Sequence, residues 1–363
     1  MGCPHIPETP YGEFSERLHD KGASRRLLLG VSLDLTERCN LRCAHCYINR
    51  PAGDGQAQNR ELTFGQWAQL LDEMAAAGCL WLLMSGGEPL LRPDFREIYS
   101  YAKKQGMIIT LFTNGTLLTP ELADFLQEWP PFEVEITVYG RTKATYEAVT
   151  RAPGSYENCL RGIDLLLARQ IPLGLKTMLM TLNAHELWDL KAWAKSLGVR
   201  FRYDPALNAR LDGGKEPLAF RLSPEEAVEF DVLDAERFQG WQKFIEAHQE
   251  VPAQDRLYTC GAGVSSLHLD PYGEMFICGM SRAAGFNLTQ RSFREGWEEF
   301  IPRVRAQKPQ GDYPCNRCGL LALCDQCPAW AQLECNDPEM PVSYLCNLAH
   351  LRAEALGILP SKK

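Results

Sequence analysis

Three thiols fall within eight residues in Cys39-Asn-Leu-Arg-Cys43-Ala-His-Cys46, a CxxxCxxC spacing. A closed structural metal site takes four ligands, and a four-iron cluster has four irons to hold. Three cysteines leave one iron of such a cluster without a protein ligand, open to a small molecule. A zinc knuckle, or three thiols that merely lie close together, is the plainer reading of the same spacing. A second set follows near the C-terminus: Cys260, Cys278, the CxxCx5CxxC run Cys315, Cys318, Cys324 and Cys327, and then Cys346. These spacings suit iron–sulfur ligation or a zinc ribbon that serves only stability. Cys79 and Cys159 sit in apolar stretches and read as core residues. Cys3 reads as a tail thiol, and Cys335 lies beside the second set.

Two short segments offer ligand chemistry. In Gly86-Gly87-Glu88-Pro89 the glycines permit a close backbone approach, and the carboxylate accepts from an ammonium. Alone, the segment equally suits a strand–helix turn. Asn114, in Thr113-Asn114-Gly115, belongs to a functional loop or to a plain Asn-Gly turn.

Bulk properties narrow the class. The 363 residues, 45% of them hydrophobic, suffice for one large domain and a smaller one. A net charge of −8 argues against nucleic acid as the main partner. No apolar run reaches membrane-spanning length, and the N-terminus shows no basic patch followed by an apolar stretch. Fourteen cysteines clustered in ligand-like spacings, with no export signal, point to metal or cluster ligation in a reducing cytoplasm rather than to disulfides.

The elements that position these residues alternate between strand and helix. Residues 30–36 alternate as a strand, and the three thiols follow at its C-terminal end. Thr63 caps a helix with Gln66 at its third position, Leu62 and Trp67 form a staple, and Gly78 stops it; Phe64, Trp67, Leu70, Leu71 and Met74 form its apolar face. Strands are expected at 80–85, 107–112, 133–139, 173–181 and 199–203, with helices at 95–104, from Pro120, at 156–170 and at 185–197. Six such units predict an α/β protein with a parallel sheet, a partial (β/α)6 TIM-like barrel whose functional face is the C-terminal end of the strands. Residues 1–29 form an N-terminal segment, 30–205 the barrel, 206–255 a connector with one helix from Ser223 to about 250, and 256–363 a small cysteine-rich domain.

The CxxxCxxC, followed about 40 residues later by Gly86-Gly87-Glu88, resembles the signature of the radical S-adenosylmethionine (SAM) enzymes. That resemblance covers residues 30 to 350 or so and implies the partial barrel. It implies that Cys39, Cys43 and Cys46 hold a 4Fe–4S cluster whose open iron chelates SAM. One-electron cleavage of SAM then yields a 5′-deoxyadenosyl radical that removes a hydrogen atom from the substrate. Gly86, Gly87 and Glu88 match the segment that binds the SAM amino group, and Asn114 lies in another family segment. His45 stands where the family has an aromatic residue against the adenine. Strand parity adds Lys176, and Arg200, Arg202 and Asp204 on one face, as groups for the SAM carboxylate, the ribose or the substrate, unless they point to water.

The C-terminal thiols resemble a SPASM domain, which binds two auxiliary clusters, for three 4Fe–4S clusters in all. The family partition implies Cys315, Cys318, Cys324 and Cys346 on an outer cluster and Cys260, Cys278 and Cys327 on an inner one with an open fourth site. Two residues, Asp325 and Gln326, separate Cys324 from Cys327 where the family has three. The subgroup implies an oxidoreductase that matures a ribosomally made peptide through a thioether or carbon–carbon crosslink. Alternatives are action on a small molecule such as a tetrapyrrole side chain, as in a haem-pathway decarboxylase, or multi-cluster electron transfer. Some 30 residues precede the first strand, too few for a leader-binding module, so a separate leader-binding protein is expected, with a ferredoxin- or flavodoxin-type reductant.

Overall fold

The computed structural model describes residues 11–48, 50–247 and 255–358. Cys3 lies outside the described residues. The chain opens with helix α1 (Tyr11–Arg25) and strand β1 (Gly30–Thr36). A two-stranded parallel ribbon follows, β2 (Arg38–Cys39) with β3 (Arg50–Pro51). Next come α2 (Gly55–Arg60), α3 (Phe64–Ala76), β4 (Trp81–Gly86), α4 (Phe95–Lys104), β5 (Ile108–Thr113), α5 (Pro120–Glu128) and β6 (Glu133–Thr137). Helices α6 (Lys143–Thr150) and α7 (Ser155–Ala168) lead to β7 (Leu173–Met178), α8 (Leu187–Ser196) and β8 (Arg200–Asp204).

Strands β1 and β4 to β8 pair in parallel in sequence order, each joined to the next through helix. This is the expected partial barrel. Alternation decides its two faces. Leu82 and Met84 on β4, Ile109 and Leu111 on β5, and Val134 and Ile136 on β6 turn outward into the core beneath the helices. Their neighbours Ser85, Phe112 and Thr137 turn inward, as do Lys176 and Arg202. Cys79 and Cys159 lie in the core.

Local chemistry explains the ends. Thr63 and Gln66 form a capping box on α3, with Leu62 and Trp67 buried beside it. Phe64 departs from the expected apolar face: it stays 37% exposed and meets Tyr101 edge-on.

The sheet extends beyond the barrel. Strand β9 (Ser266–Leu269) pairs in parallel with β1, Gly30 opposite Ser266, and continues antiparallel into β10 (Glu274–Phe276) and β11 (Phe286–Asn287). The Cys278 loop is thereby fastened to the strand that leads into the first thiols. On the other side, Leu179 and Tyr203 pack in one apolar cluster with Trp330 and Leu345 of the helices Pro328–Cys335 and Ser343–Ala355.

Several helical features differ from expectation, the short α2 among them. Helix α1 buries only Gly22, so it carries no core-facing periodicity to read; it docks through Tyr11 and His19 against Trp81. Helix α6 arises from a short Thr142 cap. The helix expected from Ser223 is two, α9 (Pro224–Leu233) and α10 (Ala235–Ala247), because Asp234 is extended between them. Among the described residues, no helix is long and apolar enough to cross a membrane.

Candidate active site

The thiol loop is anchored before its first cysteine. Arg38 pairs with Glu61 through two contacts of 2.8 and 3.0 Å, and Arg92 approaches the same carboxylate at 3.6 Å. Arg92 also donates to the Leu35 carbonyl at 3.0 Å, so this buried cluster fixes the end of β1. The glycine turn is stacked directly on that segment. Gly87 N–H donates to Thr36 O at 2.7 Å and Glu88 N–H to Arg38 O at 2.9 Å. A Cβ on Gly86 would lie 2.2 Å from Thr36 O, and one on Gly87 2.3 Å from Arg38 O. Gly86 also has φ +126°, which favours glycine. The close approach made here is to the chain's own thiol loop.

The cavity above the strands has a volume of about 330 Å³. Cys39, Cys43 and Cys46 line one side, with His45 among them. Gly86, Gly87 and Asn114 line the floor, and Lys176, Arg202 and Asp204 the far wall. Burial is the main influence on the thiols: it pushes Cys39 up to about 12 and Cys43 higher, and each is raised further by Cys46. His45 tilts against Tyr139 with ring centroids 5.0 Å apart, and its Nδ1 is buried with no partner among the described residues.

Glu88 does not line the cavity. It is fully buried, and its carboxylate accepts from Thr113 Oγ1 at 2.7 Å, Asn114 N–H at 2.8 Å and Leu90 N–H at 3.1 Å. Burial raises its pKa to about 7 against the pull of those three donors. Asn114 in turn donates to Asn40 Oδ1 at 2.9 Å and approaches Cys39 Sγ at 3.7 Å.

Glu135, which the sequence reading passed over, organises the far wall. It accepts from Arg202 Nε at 3.2 Å and Nη2 at 2.5 Å, and Lys176 Nζ lies 3.3 Å away. Lys176 also sits over the Phe112 ring, and burial lowers its pKa to about 7 with Glu135 opposing. Arg200 pairs with Glu133 and Glu135 outside the cavity lining. The signal for Glu135 was its parity with Thr137 on β6. Tyr139, two residues further, was likewise overlooked.

The C-terminal thiols fall into two neighbourhoods. Burial and then Cys346, Asp325 and Cys315 raise Cys324, while burial and then Cys318 raise Cys346. Burial and then Cys278 and Cys260 raise Cys327, pushing it up to about 11. Among the described residues, no three His, Cys, Asp or Glu side chains converge on a single-ion site.

Residues 33–194 match the model of the radical SAM superfamily. The chain carries a radical SAM domain over these residues. It is 26% identical over 339 residues to the AdoMet-dependent heme synthase of Methanosarcina barkeri, covering 85% of this chain and 93% of that protein. It is 27% identical over 306 residues to the mycofactocin maturase MftC of Mycobacterium ulcerans, covering 81% of each. The structure of Streptococcus suis SuiB bound to precursor peptide SuiA superimposes with a TM-score of 0.67 at 14% identity, over 93% of this chain and 82% of that one. That likeness concerns the fold. Radical SAM enzymes use SAM and a 4Fe–4S cluster, and the cavity suits both. Three half-buried thiols lining one side of the cavity fit a cluster, and the unpaired His45 Nδ1 and the two wall cations fit a polar ligand.

Proposed function

We propose that this radical SAM enzyme forms an oxidative crosslink, thioether or carbon–carbon, in a ribosomally made peptide. The observation that carries the reading is the single cavity that gathers the three thiols, the glycine turn, Asn114, Lys176 and Arg202. Cys39, Cys43 and Cys46 hold the cluster. The bound cofactors supply reductive cleavage of SAM and hydrogen-atom abstraction from the substrate. His45 and Tyr139 offer ring faces to the adenine. Lys176 and Arg202 meet the SAM carboxylate, with Glu135 holding both in place. Glu88 acts at one remove, by fixing Asn114 and the turn beneath the ligand.

Two auxiliary 4Fe–4S clusters complete the enzyme. The neighbourhoods of Cys315, Cys318, Cys324 and Cys346 and of Cys260, Cys278 and Cys327 support that partition. Held by these thiols, such clusters would supply an acceptor for the electron that a substrate radical must lose when a crosslink closes. Residues 30–205 form the catalytic core, 206–255 the connector and 256–363 the auxiliary unit. A ferredoxin- or flavodoxin-type reductant and a separate leader-binding protein serve it in a reducing cytoplasm.

The heme synthase relative supports a second reading, action on a tetrapyrrole. The mycofactocin maturase relatives, matched over 81% of this chain, support the peptide as the first reading.

The test is anaerobic reconstitution followed by assay for 5′-deoxyadenosine with SAM and dithionite, then mass spectrometry of precursor peptides encoded beside the gene. Loss of two hydrogens from a peptide is expected. Turnover of an iron tetrapyrrole with none on peptides would reverse the choice.

A further inference from the structure

We propose that Arg352 is a positioning residue for the outer thiol group: it holds the Cys324 loop and sets the reduction potential of the cluster bound there. This rests on the auxiliary-cluster reading above.

Arg352 follows Cys346 on the helix Ser343–Ala355 and is only 3% exposed. Its Nη1 donates to the Leu323 carbonyl at 3.2 Å and to the Asp325 carboxylate at 3.0 Å. One guanidinium nitrogen therefore grips the residues on both sides of Cys324. Its Nε donates to Asp231 at 3.0 Å, and its plane lies over Trp241. Asp231, also buried, pairs in addition with Arg237, which donates to the Tyr203 carbonyl at 3.0 Å. Tyr203 lines the first thiol cavity. A continuous chain, Asp325–Arg352–Asp231–Arg237, thus joins the outer thiol loop to the last barrel strand.

Packing alone does not call for this arrangement. A buried ion pair gives little net stability over well-packed apolar residues. The two arginines and two aspartates of this chain balance in charge, so what Arg352 brings to the four thiols is a fixed cation placed against both neighbours of Cys324 rather than a net charge. Reduction of a cluster adds one negative charge. A fixed cation in a low-dielectric setting stabilises that charge, and hydrogen bonding and burial set cluster potentials.

The experiment uses the full chain carrying Cys39→Ala, Cys43→Ala and Cys46→Ala, reconstituted without oxygen, so that only C-terminal iron is read. Iron, sulfide and zinc are counted, and the two C-terminal EPR signals are followed through a redox titration. Arg352→Gln is expected to lower the potential of one signal and leave the other in place. Asp325→Asn, which removes a negative charge at a half-exposed position, is expected to raise the same signal. Arg352→Lys is expected to restore most of the wild-type potential. Full iron with unchanged potentials in all three variants overturns the proposal. If Arg352→Gln fails to fold, Asp325→Asn decides: without an upward shift the proposal falls. Zinc in the parent protein in place of iron overturns the auxiliary-cluster reading itself, and the metal count shows which has failed.

Discussion

The carboxylate of Glu88 accepts the backbone N–H of Asn114 at 2.8 Å, so the acidic residue of the glycine turn positions the asparagine of the next strand end. Three donors converge on that carboxylate, two of them backbone amides. Glu88→Gln would turn an NH2 toward one of these donors. A buried donor left without its acceptor costs about 1–3 kcal/mol. The expected result is a lower urea midpoint and weaker SAM binding, read by denaturation and by equilibrium dialysis of the reconstituted enzyme. Unchanged SAM affinity would separate Glu88 from the site.

Gly87→Ala tests the contact between turn and thiol loop. The added Cβ would sit 2.3 Å from Arg38 O and 2.6 Å from Glu37 O, both backbone atoms. No rotamer relieves such a clash, so β2 must move. Loss of the first cluster is expected, with the C-terminal iron retained. Iron counts and EPR of the anaerobic protein check this; a full complement of iron would show that the loop gives way freely.

Much of this arrangement was legible because it is local. The barrel strands announce themselves by alternation and by turn residues, and the CxxxCxxC by spacing alone. The caps of α3 and α9 were readable from Thr63–Gln66 and Ser223–Glu226. What escaped is non-local. The pairing of β9 with β1 joins segments more than 200 residues apart, and neither strand's pattern specifies its partner. Glu135 reads as an ordinary strand residue until Lys176 and Arg202 arrive from two later strands. Asp231 and Arg352 lie on different helices and look like solvent-facing charges until α9 packs against the C-terminal helix. The glycine turn was visible, but its role was only half so: the atoms crowding it belong to Thr36 and Arg38.

Glu61 is another residue whose importance comes from tertiary placement. Its side chain, like those of Arg38 and Arg92, is 5% exposed, and it contacts both guanidiniums. Removing one partner of a buried ion pair costs about 3–5 kcal/mol, because the remaining charge is left buried. Glu61→Ala is expected to destabilise by that amount, softened by the second partner of Arg92, Asp94. Urea unfolding measures it, and a change under about 1 kcal/mol would refute the anchoring role.

Lys176 supplies a pH dependence with a definite sign. Burial lowers its pKa to about 7, with Glu135 opposing. Between that value and the ordinary lysine value of about 10.4, the unfolded chain holds a proton that the folded chain has released. Lys176 therefore makes stability rise with pH across that window, and its contribution is flat below it. Binding runs the other way. A carboxylate ligand needs the ammonium charged, so SAM affinity is expected to fall as pH rises through about 7. The loss should be about tenfold between pH 6 and 9, equivalent to about 1.4 kcal/mol. Arg stays charged throughout, so Lys176→Arg should flatten the profile, and Lys176→Met should flatten it at the weaker level. Equilibrium dialysis of SAM against the reconstituted enzyme at each pH provides the measurement. A wild-type profile that is already flat would remove Lys176 from carboxylate binding and leave Arg202 as the cation that performs it.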